Sequence, residues 1–250
     1  ETLQRLTFDP GINRGPLWSP PDGARVVFTR AIDSTEEIFW QAADGSGVPE
    51  ALTQDSGRQI FANDITPDGK NLLFMDVNPP RDIWQVPIGE PGAEPVALIA
   101  TPANEFSAQV SPDGRWLVYQ SDESGQAEIY VRPYPAVETG RWQVSRGGGT
   151  RPRWSRDGRE LFFFIPASGS APSAVMVAAI EAGATFTPGA PRTLFTGDFA
   201  APNDSRQTYD VTADGERFLM IKAIVDDSGP PTQIVVVENW FEELQRLVPN

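Results

Sequence analysis

The side chains whose type and spacing in this sequence could do chemistry are carboxylates and arginines. The 250-residue chain contains no histidine and no cysteine. Their absence excludes a histidine general base, a thiolate nucleophile and the usual zinc ligands. Two acidic pairs, Asp64 with Asp210 and Asp64 with Glu105, could supply the acid and the base of a glycosidase-like reaction. The same carboxylates could instead bind a polar ligand or one Ca²⁺.

Arginines and a glutamine accompany these carboxylates at matching positions. Asp64, Gln109, Arg153 and Asp210 each stand four residues before the aspartate of an Asp-Gly dipeptide. The candidate ligand-binding residues are Arg14, Asp64, Glu105, Gln109, Arg151, Arg153, Arg206 and Asp210. No residue is assigned a catalytic or metal-binding role. The interpretation that the sequence favours is simple pairing of opposite charges from neighbouring structural units across a solvated channel.

The Asp-Gly dipeptides mark a repeat that must position these side chains. Five of the six begin at Asp22, Asp68, Asp113, Asp157 and Asp214, at intervals of 46, 45, 44 and 57 residues. The sixth, at Asp44, lies outside this pattern. Each of the five is followed by an apolar run, a polar loop and a second apolar run, and in the first four repeats a weaker outer segment comes next. This order predicts four antiparallel strands per repeat. Asp-Gly between apolar segments predicts a type I′ turn, with positive φ at both central residues.

Four-stranded units at this period, with a middle strand that is apolar on both faces, predict an all-β fold, a five-bladed β-propeller. The single domain is divided into blades at about 8–53, 54–100, 101–146, 147–197 and 198–238. The fifth repeat lacks an outer strand, so segment 2–7 is predicted to complete that blade and close the ring. A short helix is predicted over 239–248. Trp18 and Trp154 occupy matching repeat positions and are predicted to lie between blades.

The motif "WSPPDG" at 18–23 and its variants "VSPDG" and "WSRDG" resemble the TolB-like, WD-repeat-like propeller repeats of bacteria. More narrowly, "SDESGQAEIYVRPYP", "GGGTRPRWSRDGRELFFF" and "NWFEELQRLVP" resemble the C-terminal propeller of certain membrane-anchored bacterial serine/threonine kinases. This resemblance implies a periplasmic or extracellular location. Relatives usually carry a further blade upstream of "RLTFDPG". Kinase activity is not implied, because the Gly-rich phosphate loop and the His-Arg-Asp triplet are missing from the sequence.

Three functions remain open. The first is a non-catalytic propeller that binds or senses a protein, peptide or glycan at its central funnel, as the extracytoplasmic part of a receptor-like protein. The second is a funnel hydrolase or lyase that uses paired carboxylates. The third is a structural fragment of a larger propeller. No cofactor is expected, apart from Ca²⁺ in the central channel.

Charge and hydropathy narrow the choice of partners. The net charge of −14 repels nucleic acid and anionic lipid surfaces. No apolar run approaches the roughly 18 residues that a membrane helix needs, so no membrane insertion is predicted. The glycine-rich stretch 146–150 precedes a strand rather than a helix. It therefore predicts a flexible loop rather than a phosphate cradle.

Overall fold

A computed structural model of the chain describes residues 5–8, 11–32, 35–53, 57–90, 92–183, 185–200 and 207–222. The fold of this part is all-β, as the sequence predicts. Its helical content is a single 3₁₀ turn, Val137–Thr139. Each sheet lies inside one of the predicted blade ranges, and each is called a blade below.

Blades 1, 2 and 3 are antiparallel sheets of four strands, in which chain order is also spatial order. Blade 1 contains β1 (Ile12–Trp18), β2 (Arg25–Ile32), β3 (Thr35–Ala42) and β4 (Glu50–Ala51). Blade 2 contains β5 (Ile60–Ile65), β6 (Asn71–Asp76), β7 (Ile83–Pro87) and β8 (Val96–Ile99). Blade 3 contains β9 (Glu105–Val110), β10 (Trp116–Ser121), β11 (Glu128–Pro133) and β12 (Trp142–Gln143).

Blade 4 departs from this plan by one strand. Its strands are β13 (Thr150–Trp154), β14 (Glu160–Ile165), β15 (Ser173–Ala182), β16 (Phe186–Pro188) and β17 (Arg192–Gly197). The long β15 pairs with β17 along its first half and with the short β16 along its last residues. The sequence predicts β17 as the outer strand but does not predict β16. Blade 5 is described only as the pair β18 (Tyr209–Val211) and β19 (Phe218–Met220).

Ring closure stays a prediction. Residues 5–8 are described and are not part of a strand. The partner proposed for segment 2–7, the strand around 233–237, lies outside the described residues, and so does the predicted helix 239–248. The described sheets do not by themselves close into a ring. The number of blades and the closing mechanism are therefore not established by these strands.

Four of the five repeat Asp-Gly turns, those at Asp68, Asp113, Asp157 and Asp214, share one structure, which is not type I′. At the third turn the N–H of Gly114 donates to the Ser111 carbonyl at 2.8 Å, and the φ of this glycine is +73°. Among described residues other than glycine, only Ser107 and Arg151 have positive φ, so Asp113 does not. Since type I′ requires positive φ at both central residues, that prediction is wrong.

The physical reason is a hydroxyl two residues before the aspartate. Asp113 Oδ1 accepts hydrogen bonds from Ser111 Oγ at 2.6 Å and from Arg115 N at 3.1 Å. These bonds hold the aspartate in an ordinary conformation and leave only the glycine left-handed. Equivalent hydroxyl bonds reach Asp68, Asp157 and Asp214, where they lower the pKa of each carboxyl.

Substitution of Gly114 by valine tests this turn. A β-branched residue at φ +73° is strained, whereas a Cβ built there has no described heavy atom within 4 Å. The substitution should therefore cost about 1–2 kcal/mol of unfolding free energy through backbone strain alone. Chemical denaturation measures it, with Gly114→Asn as the control, because asparagine tolerates this conformation and should cost clearly less. Equal losses for valine and asparagine would contradict the assignment.

Apolar clusters between consecutive blades form the core. Blades 1 and 2 enclose Val27, Ile38, Ile60, Leu72, Phe74 and Val86. Blades 2 and 3 enclose a cluster around Leu73, Ile83, Val110 and Leu117, and blades 4 and 5 enclose one around Phe162, Val175 and Phe218. A blade cannot bury both of its faces alone, which explains why the middle strands are apolar throughout.

Blades 3 and 4 are joined by an aromatic cluster around the unpredicted strand β16. Phe186 is 1% exposed. Its ring centroid lies 5.2 Å from that of Trp116, 5.6 Å from Trp142 and 6.3 Å from Trp154. Strand β16 thus delivers one large side chain into the joint between two blades.

The two tryptophans at matching repeat positions have different surroundings. Trp154 is 5% exposed and packs between blades 3 and 4, as predicted. Trp18 is 68% exposed, so its predicted burial between blades is wrong. The reason is that Trp18 belongs to blade 1, and the described residues supply no preceding blade against that face.

Candidate functional site

A cavity of about 720 Å³ lies where the innermost strands of the blades converge. Strand β1 contacts β5, β5 contacts β9 and β9 contacts β13, so the inner strands stand side by side around it. The volume is typical of a small-ligand or peptide pocket. We call this cavity the funnel. Its described lining includes residues from the inner strands of blades 1 to 4, and Gln207 from just before β18.

The inner strands share a β-bulge at the funnel. The pairing with the second strand shifts between Arg14 and Leu17 in blade 1, and between Ala62 and Asp64 in blade 2. Blades 3 and 4 show the same shift. The bulges place Gly15, Ser107 and Arg151 at φ +57°, +52° and +54°.

These three positions correspond to one another in the repeat alignment. Positive φ is uncommon for serine and arginine, and such conformations concentrate at functional sites. The funnel wall is therefore built from a recurrent, strained backbone feature that the sequence pattern does not reveal.

Three of the predicted site residues line the funnel: Arg14, Gln109 and Arg153. Asp64, Glu105, Arg151 and Asp210 are described but are not among its lining residues. Arg206 lies outside the described residues. The structure therefore brings together the predicted cations and the glutamine, and leaves the predicted carboxylates out of the described lining.

Asp64 and Gln109 join neighbouring blades. Asp64 Oδ2 accepts a hydrogen bond from the N–H of Val110 in blade 3, at 2.9 Å. In the same way Gln109 Oε1 accepts one from the N–H of Trp154 in blade 4, at 2.9 Å. Burial raises the pKa of Asp64 to about 7, although the Val110 bond and the Arg153 charge oppose that change. These side chains satisfy backbone donors at the joints between blades.

A second set of acceptors, on the second strands, also joins neighbouring blades. Thr29 Oγ1 accepts from the N–H of Ala62 at 3.2 Å, which links blades 1 and 2. Gln120 Oε1 accepts from the N–H of Arg151 at 3.3 Å, which links blades 3 and 4. We call these four side-chain acceptors, Thr29, Asp64, Gln109 and Gln120, the inter-blade latches.

Two pairs of opposite charges lie at the funnel, and one of them joins neighbouring blades, the kind of pairing that the sequence favours. Arg14 Nη1 lies 2.8 Å from Glu36 Oε1 within blade 1. Arg153 Nη2 lies 3.3 Å from Asp210 Oδ1, which links blades 4 and 5. The Asp210 side chain is 62% exposed, so solvent screens the second pair.

Glu105 and Arg151 serve the protein interior. Glu105 is 1% exposed and accepts a hydrogen bond from Thr101 Oγ1 at 2.5 Å. Burial raises the pKa of Glu105 to about 7, and the nearby Asp82 charge adds to the effect. Arg151 is 5% exposed, and its carbonyl accepts from the Tyr209 hydroxyl at 2.9 Å. Neither residue is placed to meet a funnel ligand.

The glycine-rich stretch 146–150 is an anion-binding loop, and its anion is internal. Glu128 Oε1 accepts hydrogen bonds from the N–H groups of Gly147 at 2.8 Å and Gly148 at 3.0 Å. Ser145 Oγ donates to the other carboxylate oxygen. Burial opposes ionisation, but the Ser145 and glycine hydrogen bonds outweigh it and lower the pKa of Glu128. A carboxylate from β11 therefore organises this stretch, which the sequence predicts only as a flexible loop.

Arg81 is the funnel residue that the sequence reasoning missed. It lies in the loop between β6 and β7 and lines the cavity. Its guanidinium stacks over the Phe106 ring at 4.9 Å, and its Nε donates to the Val77 carbonyl at 3.1 Å. The repeat alignment on Asp-Gly follows the inner strands, and it gives no signal for a residue in this loop.

Within the described ranges, no group of three or more acidic, histidine or cysteine side chains is arranged to hold a metal ion. The carboxylates considered for Ca²⁺ therefore do not form such a cluster there. No helix in the described part of the chain has the length and apolar character to cross a membrane.

The fold and its funnel define a β-propeller. Comparison with solved structures shows which β-propellers this chain resembles. TolB from Acinetobacter baumannii is 18% identical over 88% of this chain and 51% of that chain, with a TM-score of 0.67. A TolB homologue from Agrobacterium tumefaciens is 19% identical over 71% of this chain and 63% of that one, with a TM-score of 0.58. The chain thus has a TolB-like β-propeller fold, and it spans about half the length of the first of these proteins.

The same fold likeness extends to peptidases. A puromycin-hydrolyzing peptidase from Mycobacterium tuberculosis is 20% identical over 74% of this chain and 31% of that one, with a TM-score of 0.54. No family model matches the chain, and no curated protein matches it in sequence. At these identities the likeness shows the fold alone.

Proposed function

We propose that this chain is a non-catalytic propeller module that binds or senses a protein, peptide or glycan in its funnel. In this proposal five blades, closed by segment 2–7, form the ring. The module works in the periplasm or outside the cell, as the extracytoplasmic part of a larger receptor-like protein. The observation that carries the proposal is one 720 Å³ cavity that gathers side chains from all five repeats.

The charges of the funnel favour binding over carboxylate catalysis. In the described lining the one acidic residue is Glu36, and it is paired with Arg14 at 2.8 Å. A glycosidase-like reaction needs two carboxylates that face the same bond. Asp64 instead holds the Val110 N–H, and Glu105 is 1% exposed. The proposed acid and base therefore have other roles.

A second candidate is a structural one, in which the chain completes a larger propeller. Trp18 is 68% exposed and Leu219 is 43% exposed. Their counterparts in the inner blades, Trp154 and Phe162, are 5% and 1% exposed. Blades 1 and 5 thus each present an apolar face that the described residues leave uncovered. If this candidate were right, the chain alone would bind nothing in its funnel.

A panel of peptides, proteins and glycans separates the two candidates. Gln207 is exposed at the funnel, where its Nε2 donates to the Pro152 carbonyl at 3.0 Å. Gln207→Trp should therefore obstruct the cavity and remove one hydrogen bond between blades 4 and 5, and circular dichroism checks that the fold persists. Gln143→Trp is the matched control, because Gln143 is exposed on the outermost strand of blade 3. We expect at least one panel member to bind the wild type and the control equally, and to lose about tenfold or more in affinity for Gln207→Trp.

Two results would overturn the proposal. Binding that is unchanged in Gln207→Trp would place the site elsewhere. No binding by any panel member would leave the structural candidate. Turnover of glycoside or lactone substrates by the wild type, lost in Asp64→Asn, would establish the hydrolase alternative instead.

A further inference from the structure

The funnel carries a positive charge within a strongly acidic protein. Its described charged lining consists of Arg14, Arg81, Arg153 and Glu36. Asp210 pairs with Arg153 beside this lining, so the surplus is one positive charge. The chain as a whole has a net charge of −14. A concave site with charge opposite to the rest of the surface attracts ligands of the complementary sign. Here that sign is negative.

Two of these arginines retain hydrogen-bonding capacity. Arg14 is engaged with Glu36 at 2.8 Å. The two terminal nitrogens of Arg81 make no hydrogen bond to any residue that the structure describes, because this guanidinium is held through Nε and by stacking on Phe106. Arg153 uses Nη2 for Asp210, and its Nη1 makes no hydrogen bond within the described ranges. Terminal guanidinium nitrogens of this kind bind carboxylates well.

The funnel lining also includes apolar side chains. Blades 1 and 2 contribute Pro16, Leu17, Phe61, Met75 and Val77 to the lining. Amide and hydroxyl groups from Asn63, Ser107, Gln109 and Gln207 complete it. An occupant that fits all three surfaces has an anionic group, an apolar group and hydrogen-bonding groups that match side-chain amides.

We infer that the funnel binds the C-terminal end of a peptide, with its free carboxylate on Arg81 and Arg153 and an apolar last side chain against Phe61 and Leu17. This inference rests on the proposed binding function and specifies its ligand. A peptide terminus joins the required groups within one residue. Its backbone groups suit Gln109 Nε2 and Gln207 Oε1, the amide atoms that the bonds to Trp154 and Pro152 do not use. Capture of a terminal carboxylate is a general mode of peptide recognition.

The test uses two sets of N-acetylated tripeptides that end in leucine or phenylalanine, one with a free C-terminal carboxylate and one with a C-terminal amide. Titration calorimetry with the wild-type chain should show binding of the acids, and about tenfold or greater loss for the amides. Arg81→Gln and Arg153→Gln should each weaken the acids to a similar degree. Arg159→Gln is the matched control, since that side chain is 84% exposed in a turn away from the funnel.

Three results would overturn this inference. Amides that bind as well as acids would show that the carboxylate is not recognised. If the tripeptides with a free carboxylate bound the wild type and both arginine variants equally, their carboxylate would not bind to Arg81 and Arg153. A third result is that no tripeptide binds, while another panel member binds the wild type and binds Gln207→Trp more weakly. This result would contradict the peptide ligand but would still support the proposed binding function. Circular dichroism of each variant separates lost contacts from lost fold.

Discussion

Phe186→Ala is expected to lower the free energy of unfolding by about 3–5 kcal/mol, the usual cost of emptying a large aromatic site in a packed core. The Phe186 side chain is 1% exposed and touches the rings of Trp116, Trp142 and Trp154. These rings belong to blades 3 and 4. The substitution therefore opens a cavity at a joint between blades rather than within one sheet.

Equilibrium unfolding in urea, followed by tryptophan fluorescence, measures this change. Phe8→Ala is the matched control, because Phe8 is 72% exposed and its truncation should shift the unfolding midpoint little. A loss below about 1 kcal/mol for Phe186→Ala would mean that the site collapses around the smaller side chain. In that event β16 would not be a structural element of the joint.

Glu128→Gln is expected to destabilise the chain by about 2–3 kcal/mol at neutral pH. The Glu128 carboxylate satisfies the N–H groups of Gly147 and Gly148, and it also accepts from Ser145 Oγ. Glutamine has one acceptor oxygen, and its amide nitrogen faces donors. At least one buried donor therefore loses its partner.

The effect of Glu128→Gln should depend on pH, and the direction follows from the lowered pKa of Glu128. A carboxyl whose pKa is lower in the folded state stabilises the fold above its unfolded pKa. That contribution is lost as the pH falls through the folded value. The difference between wild type and variant should hence shrink as urea unfolding is repeated from pH 7 to below pH 4.

Glu138→Gln, whose side chain is 88% exposed, provides a comparison with little expected change at any pH. A constant difference between wild type and Glu128→Gln across this range would show that the carboxylate charge is not what organises the glycine loop.

The strands could be predicted from the sequence because each one corresponds to an apolar run within its own repeat. The apolar run at 116–119 lies within β10, and the segment "EIYVRPY" covers β11. The turn type was not accessible in the same way. Its conformation depends on the Ser111 hydroxyl bonded to Asp113, a competing contact that the Asp-Gly dipeptide alone does not indicate.

The candidate site was predicted in part, for a reason of the same kind. Repeat alignment found Gln109 and Arg153, because equivalent strand positions face the same axis. It could not find Arg81, which reaches the funnel from a loop. Nor could it distinguish Asp64, whose carboxylate turns to the next blade, from a funnel ligand. Contacts made across blades are absent from a pattern read within one repeat.

The inter-blade latches point one way along the chain. The backbone N–H of Ala62 meets Thr29, and those of Val110 and Trp154 meet Asp64 and Gln109. In each case the acceptor comes earlier in the sequence than the donor that it satisfies. During synthesis, each emerging inner strand can therefore find its latch acceptor on a blade that has already left the ribosome. The blades can consequently fold in chain order, with each completed sheet providing the surface on which the next one packs.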